Sequence, residues 1–316
     1  MATQFASVGD TEDKQITFGE IGRDLYAFTA EGDPNSGIVI GDDGVLVVDT
    51  QATPVMATQV IDRIRQVTDK PIKYVVLSHY HAVRVLGASA YAPREIVASD
   101  TCRAMIAERG EEDWRSEHDR FPRLFQAAET IPGLTWPTIT FRERMTLYLG
   151  KRRVDLLHLG RGHTAGDIVV SVPDARAVFS GDLVEYRSAC YCGDAHFSDW
   201  PTTLDRVSDL RAEALMPGRG DALQGAAQVE EALQLTQEFL HDTYQPVAQG
   251  VARGATLKEC FAETAERMRP HYGNFAIFEH CLPFNVARAY DEARGIDTPR
   301  IWTAARDREM WERLQG

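Results

Sequence analysis

A mixed α/β fold with an all-helical final third is the class this sequence predicts, on three observations. Short runs rich in β-branched and aromatic residues recur over residues 16–48 and again beyond Pro137. Between these regions a helical pattern leads into the nearly continuous apolar run IKYVVL at 72–77, as expected of a strand buried on both faces. From Gly225 onward the apolar residues recur at helical spacing almost throughout.

Residues 1–14 are polar and read as a loose tail. Strands follow in ITFGEI, DLYAFTA, GIVIG and VLVVD, separated by EGDPNSG and by Asp42-Asp43-Gly44, a hairpin signal between two apolar runs. Thr53 then suits an N-cap, with Pro54 at the first helical position. Val55, Met56, Val60, Ile61, Ile64 and Val67 follow at helical spacing, and Lys70-Pro71 ends that helix. The 72–77 strand runs straight into Ser78-His79-Tyr80-His81. Residues 99–128 read as helix with Ser99 as cap. Beyond Pro137, TITF, MTLYLG, RVDLLHL, DIVVSV and RAVFSG read as strands. Residues 198–210 read as a loop and a helix, and 214–216 as a short strand. Helices are predicted over 226–247, 256–268, 276–293 and 303–314.

Composition narrows the class of partner. The chain has 316 residues, 44% of them hydrophobic, enough for a sizeable core. Lys+Arg is 34 and Asp+Glu 47, a net charge of −13, which argues against nucleic acid or an anionic membrane as the main partner. No apolar stretch approaches the roughly 18 residues of a membrane helix. MATQFASVGDTEDKQ has neither a basic start nor an apolar core, so a cytoplasmic location is expected. Five cysteines, an odd number spread over a long chain, do not suit a disulfide framework.

The chemistry-bearing residues begin with His79 and His81. Residues i and i+2 of an extended segment point the same way, so two imidazoles at a strand end make half of a metal site. Alone, the pair equally fits one core and one surface histidine. His163 lies in the Gly-flanked loop Gly160-Arg161-Gly162-His163-Thr164-Ala165-Gly166-Asp167, and Asp182 ends the strand Phe179-Ser180-Gly181-Asp182. Small neighbours let the backbone bring such ligand atoms close to an ion.

In this order, together with Asn35-Ser36-Gly37, the strand 45–50 and Met216-Pro217-Gly218-Arg219-Gly220, these motifs resemble the metallo-β-lactamase superfamily over roughly residues 15–220. The resemblance implies a four-layer αββα sandwich over 15–224, with 225–316 as a helical region packed on or extending it. It also implies a first metal held by His79, His81, His163 and Asp182. The sequence departs from the family at the second metal. The family's His-x-His-x-Asp-His reads His79-Tyr80-His81-Ala82-Val83-Arg84, and its late Gly-His-Gly reads Gly218-Arg219-Gly220. Valine has no donor atom and guanidinium cannot ligate a cation. A single ion is therefore expected, zinc first, with iron or manganese as alternatives.

The functional expectation is a single-metal hydrolase of a small-molecule ester, lactone, thioester or amide. Arg84 and Arg219 would replace the charge of the second ion, holding Asp182 or a substrate anion, and Asp182 would be the base if left free. Two other readings stand beside it. One is a mononuclear iron oxygenase of the persulfide-dioxygenase type. The other is a non-enzymatic binding protein in which an Arg84–Asp182 salt bridge replaces metal. Glu185, Tyr186, Cys192 and His196 are candidates for a substrate-facing wall; Tyr80 is another, although its place between two ligands turns it away from the metal. Cys190 and Cys192 otherwise read as loop residues. His280 and Cys281 read as packing, or as a tail helix capping the pocket. The helix over 276–293 suits core packing or a homodimer face.

Overall fold

The protein is described here by a computed structural model covering residues 5–315. Two sheets carry the fold. The first holds seven strands in sequence order: β1 (Thr17–Gly22), β2 (Leu25–Thr29), β3 (Ser36–Ile40), β4 (Val45–Val48), β5 (Ile72–Val76), β6 (Glu95–Ser99) and β7 (Ile139–Phe141). The second holds β8 (Arg144–Leu149), β9 (Arg152–Leu157), β10 (Val169–Val172), β11 (Ala177–Gly181), β12 (Ala214–Pro217) and β13 (Leu223–Gln224), also in sequence order. β4, β5, β6 and β7 pair in parallel, as do β11 and β12, and the remaining pairs are antiparallel.

Side-chain alternation along the strands builds three apolar layers. Ile38, Ile40, Val45, Val47 and Val75 face helix α1 (Pro54–Val67), meeting its Ala57, Val60 and Ile64, and the one-turn helix α2 (Ala82–Val85) follows β5. Their neighbours Val39, Leu46, Val48 and Val76 point the other way, onto Leu156, Val170, Phe179 and Met216 of the second sheet. Val169, Val178 and Leu215 face outward from that sheet onto helices α4 (Trp200–Ser208) and α5 (Ala226–Ala252). The result is the αββα sandwich, with the later helices α6 (Leu257–Tyr272), α7 (Phe278–Ala293) and α8 (Ala304–Gln315) sharing the outermost apolar cluster. Gly37 shows how closely the sheets meet: a Cβ there would lie 2.3 Å from the Phe179 ring.

The caps follow the sequence signals. Thr53 accepts from the Met56 amide at 3.2 Å and Ser99 from the Cys102 amide at 2.9 Å. Three expectations change. Helix α3 (Asp100–Arg120) stops at Arg120, not near 128, because Phe121 precedes Pro122 and is pushed out of the helical region. Helix α5 continues through Pro246 to Ala252. The polar tail is packed from Phe5 onward: Phe5 lies 5.7 Å from Phe284 and 5.1 Å from Trp311, ring to ring, and Asp10 pairs with Arg123 at 3.1 Å. Residues 1–4 of that tail lie outside the described residues. No described helix is long and apolar enough to cross a membrane.

Leu46 is fully buried between the sheets. Leu46→Ala is expected to cost about 2–5 kcal/mol in urea unfolding; a cost below ~1 kcal/mol would mean that this layer is not packed as described.

Candidate metal centre

One edge of the two sheets gathers the chemistry. β4 ends in Asp49, β5 leads through Ser78 to His79 and His81, the β9–β10 loop brings His163, β11 ends in Asp182, and β12 leads to Arg219. His79, His81 and His163 are all buried, and one ring nitrogen of each lies within 4.8 Å of the others.

Their partners assign the ring protons. Ser78 Oγ donates to Asp49 Oδ2 at 2.7 Å, so at 2.9 Å it accepts from His79 Nδ1. This leaves His79 Nε2 as a bare lone pair, buried and without a partner. His163 Nδ1 donates to the Tyr191 carbonyl at 2.8 Å and His81 Nε2 to Asp194 Oδ2 at 3.2 Å. The inward atoms, His163 Nε2 and His81 Nδ1, then face each other at 2.9 Å. Two lone pairs at that distance need a cation between them, or a proton on one. An orphaned third nitrogen beside them fits a metal ion, whose histidine ligands are oriented through their other nitrogen in this way. Burial holds the His79 imidazole well below its ordinary range and His163 down to about 3. His81 goes the other way: burial lowers it, but Asp113, Asp194 and Glu117 raise it to about 9. Arg109 completes this support, donating to Asp194 Oδ1 at 3.2 Å.

Asp182 sits beside the cluster, with Oδ2 at 3.6 Å from His163 Nε2 and 3.8 Å from His79 Nε2. Arg84 Nη2 donates to its Oδ1 and Arg219 Nη1 to its Oδ2 at 2.8 Å. Burial alone would raise this carboxyl. The two guanidinium groups overcome that and hold it well below the usual carboxylate range. Asp182 was expected to serve as base if free; with both oxygens held by arginines it is a poor proton acceptor. Arg84 is fully buried; its Nη1 donates to the Asn35 carbonyl at 3.0 Å and its Nη2 also to the Gly218 carbonyl at 2.8 Å, while its Nε has no partner. It does not line the cavity beside this cluster, so no substrate held there meets it. Arg219 also pairs with Glu185 at 3.4 Å, but its Nε has no partner. Gly218 is small for a reason: a Cβ there would lie 2.2 Å from Asp182 Oδ1.

A cavity opens on this cluster, walled by His81, Val83, Asp182, Tyr191 and Arg219 on the sheet side. Glu117, Arg120 and Phe121 at the end of α3 and Ile277 and His280 at the start of α7 close it. Its volume is about 20 Å³, room for one water. The expected wall is therefore corrected. Tyr80 is buried in the core behind His81, with its hydroxyl on Asp194. Glu185 lies behind Arg219. Tyr186 points to Glu231 at 3.3 Å. Cys192 is buried under α7, its amide bonded to Asn285. His196 faces Asp297 at 3.8 Å. None of these five lines the cavity: Tyr80 packs into the core beside the first sheet, Glu185 is taken by Arg219, and the 183–200 loop turns Tyr186 and Cys192 into the helical layer while its Tyr191 faces the cavity. Glu117 and Arg120 escaped the sequence reading. Their signal is a polar stripe on α3 at i, i+4 and i+7, namely Asp113, Glu117 and Arg120. His280, read as packing or as a cap, is on the cap.

Asp194→Asn should weaken metal binding about 10–100-fold by titration against a chelating dye; unchanged affinity would remove Asp194 from the support of His81. Gly218→Ala should displace Asp182 from Arg84 and lower stability by about 3–5 kcal/mol in chemical unfolding, the cost of breaking a buried ion pair.

Comparison with known proteins agrees with this arrangement. The sequence model of the metallo-beta-lactamase superfamily matches residues 29–219. A linear primary-alkylsulfatase from a Pseudomonas species is 22% identical over 271 residues, covering 75% of this chain and 50% of that protein. The chain thus spans half the length of that relative. A metallo-beta-lactamase type 2 from Bacillus cereus is 24% identical, covering 63% of this chain and 72% of its own. Among solved structures, a double mutant of the sec-alkyl sulfatase PisA1 superposes with a TM-score of 0.71 at 15% identity, over 89% of this chain and half of its own. Coverage that wide includes part of the helical region. The family match spans most of the chain and ends at Arg219, and on that ground the chain belongs to the metallo-beta-lactamase superfamily, which includes metallo-hydrolases.

Proposed function

We propose that this protein is a hydrolase that works with one metal ion, zinc, and cleaves an ester or amide bond of a small molecule. The observation that carries the reading is the convergence of three buried imidazole nitrogens, His79 Nε2 among them without a partner, beside a carboxylate whose two oxygens are already taken by arginines. His79, His81 and His163 would hold the ion, and among the described residues no second set of ligands joins Asp182.

A zinc ion bound there supplies Lewis acidity and lowers the pKa of its water to about 7. The rest of the chemistry belongs to the chain. Asp182 stays ionised and, with the two arginines, fixes the floor of the site. Glu117 is the acceptor for the proton of the attacking water. Its Oε2 accepts from the Val83 amide at 3.1 Å, so α3 returns a carboxylate to the place where Val83 lacks one. Arg219 offers its free Nε–H to the oxygen on which negative charge develops. Ile277, a β-branched residue held at φ 55°, closes the cavity, and a substrate must displace this turn to enter.

A second reading, a binding protein without chemistry, draws on the same Arg84–Asp182–Arg219 cluster and on the one-water cavity. Elemental mass spectrometry of the purified protein separates the readings. About one zinc per chain, lost in the His81→Ala/His163→Ala double variant together with ester hydrolysis, is the expected outcome. One iron per chain would move the assignment to oxygen chemistry. Two metals would overturn the single-ion site, and none after incubation with zinc would favour the binding protein. In the active protein Glu117→Gln should lower kcat about 100-fold or more, with zinc content unchanged; an unchanged kcat would acquit Glu117.

A further inference from the structure

The cavity contains a cation that the reaction above does not use. Arg120 ends α3, is 1% exposed and lines the cavity wall. Its guanidinium is clamped flat, 4.3 Å from the centre of the Phe284 ring and 5.3 Å from that of Tyr191. One side of the fork is satisfied by the protein. Nε donates to the Ser116 carbonyl at 3.2 Å and lies 3.6 Å from Asp307 Oδ2, and Nη1 reaches the Tyr191 hydroxyl at 3.4 Å. The remaining nitrogen, Nη2, is buried and has no partner. His280, on the same wall, likewise has Nδ1 buried and unpartnered.

A buried guanidinium N–H left unpaired is costly, so one on a residue of the cavity wall implies that something else completes it. A neutral group would complete the hydrogen bond only. Asp307 meets part of the charge from the other edge of the fork; an oxyanion would give the open edge a charge-assisted hydrogen bond, the partner for which guanidinium is built. We infer that Arg120, with His280 beside it, forms a subsite for an anionic group of the substrate that takes no part in bond cleavage. The substrate class becomes a small ester or amide that carries a carboxylate or sulfate away from the scissile bond. This rests on the hydrolase reading for the word substrate, but the subsite itself is a binding property and can be tested without turnover.

The probes are glutarate, sulfate and the neutral isostere glutaramide, titrated calorimetrically into zinc-loaded and chelator-treated protein. Glutarate or sulfate should bind to both forms and glutaramide to neither; the stronger of the two anions identifies the oxyanion. Arg120→Gln should weaken that binding about 10-fold or more, and Arg120→Lys, which keeps charge but loses the fork, by less. Equal affinity in wild type and Arg120→Gln, equal binding of glutaramide, or anion binding only when zinc is present would overturn the subsite. Should both variants fail to fold, the thermal midpoint of the wild type decides. Glutarate or sulfate must raise it and glutaramide must not; equal shifts overturn the proposal. Two 4-nitrophenyl esters, one with a terminal carboxylate and one neutral, then link the subsite to catalysis. A lower KM for the anionic ester, abolished by Arg120→Gln, is expected, and equal KM values overturn its role in substrate choice. If neither ester is turned over while Arg120-dependent anion binding persists, the hydrolase reading falls and the subsite stands.

Discussion

The buried carboxylate of Asp182, gripped by Arg84 and Arg219, is the interaction on which the site depends. Arg84 comes from the segment after β5, in the first sheet; Asp182 and Arg219 follow β11 and β12, in the second. The cluster therefore joins the two sheets at the edge where the chemistry gathers. Backbone groups extend the join: Arg84 also donates to Asn35 and Gly218 carbonyls, and Asn35 donates to those of Pro217 and Gly220 at 2.9 Å. The net gain from burying such charges is small, because desolvation offsets much of the attraction. Its value is positional. Neither arginine can leave without exposing Asp182 to an apolar surrounding that would not tolerate its charge.

This arrangement divides the edge in two. On one side, three imidazoles bring a ring nitrogen each to a common place, their other nitrogens bonded to Ser78, Asp194 and the Tyr191 carbonyl. On the other, two guanidinium groups stand where further ligands would be needed to hold another ion. Charge is balanced around Asp182 by fixed side chains. Asp113 and Glu117 accept from the amides of Ala82 and Val83 at 2.7 and 3.1 Å, so α3 also sets the course of the chain just after His81.

The helical region is part of the site rather than an appendage. Asn285 of α7 bonds both the Cys192 amide and the Cys190 carbonyl, at 2.7 and 2.8 Å. This fixes the loop whose Tyr191 carbonyl holds His163 and whose Asp194 holds His81. The start of the same helix places Ile277 and His280 over the cavity, and Phe284 supports Arg120. A disturbance in α7 thus reaches His81 and His163 through two hydrogen bonds and the wall through direct packing.

The sequence by itself determined the layered mixed fold, the three histidines and Asp182, and the loss of donors at Val83, Arg84 and Arg219. Those properties are local. Strand alternation, caps such as Thr53 and Ser99, and a residue's own donor atoms are carried by short stretches of chain. Tertiary structure alone decided what those residues touch. It set Arg84 on Asp182 behind the cavity and Arg219 on both Asp182 and the cavity wall, removed Asp182 as a free base, and turned Tyr80, Glu185, Tyr186, Cys192 and His196 off that wall. It also brought Glu117, Arg120 and His280 onto that wall. The physical reason is sequence distance. Arg84 lies 98 residues from Asp182, and α3 and α7 meet the β11–β12 edge only when all four layers pack. No periodicity records which buried charge will face which, because that is settled by the desolvation cost each must offset in the packed state.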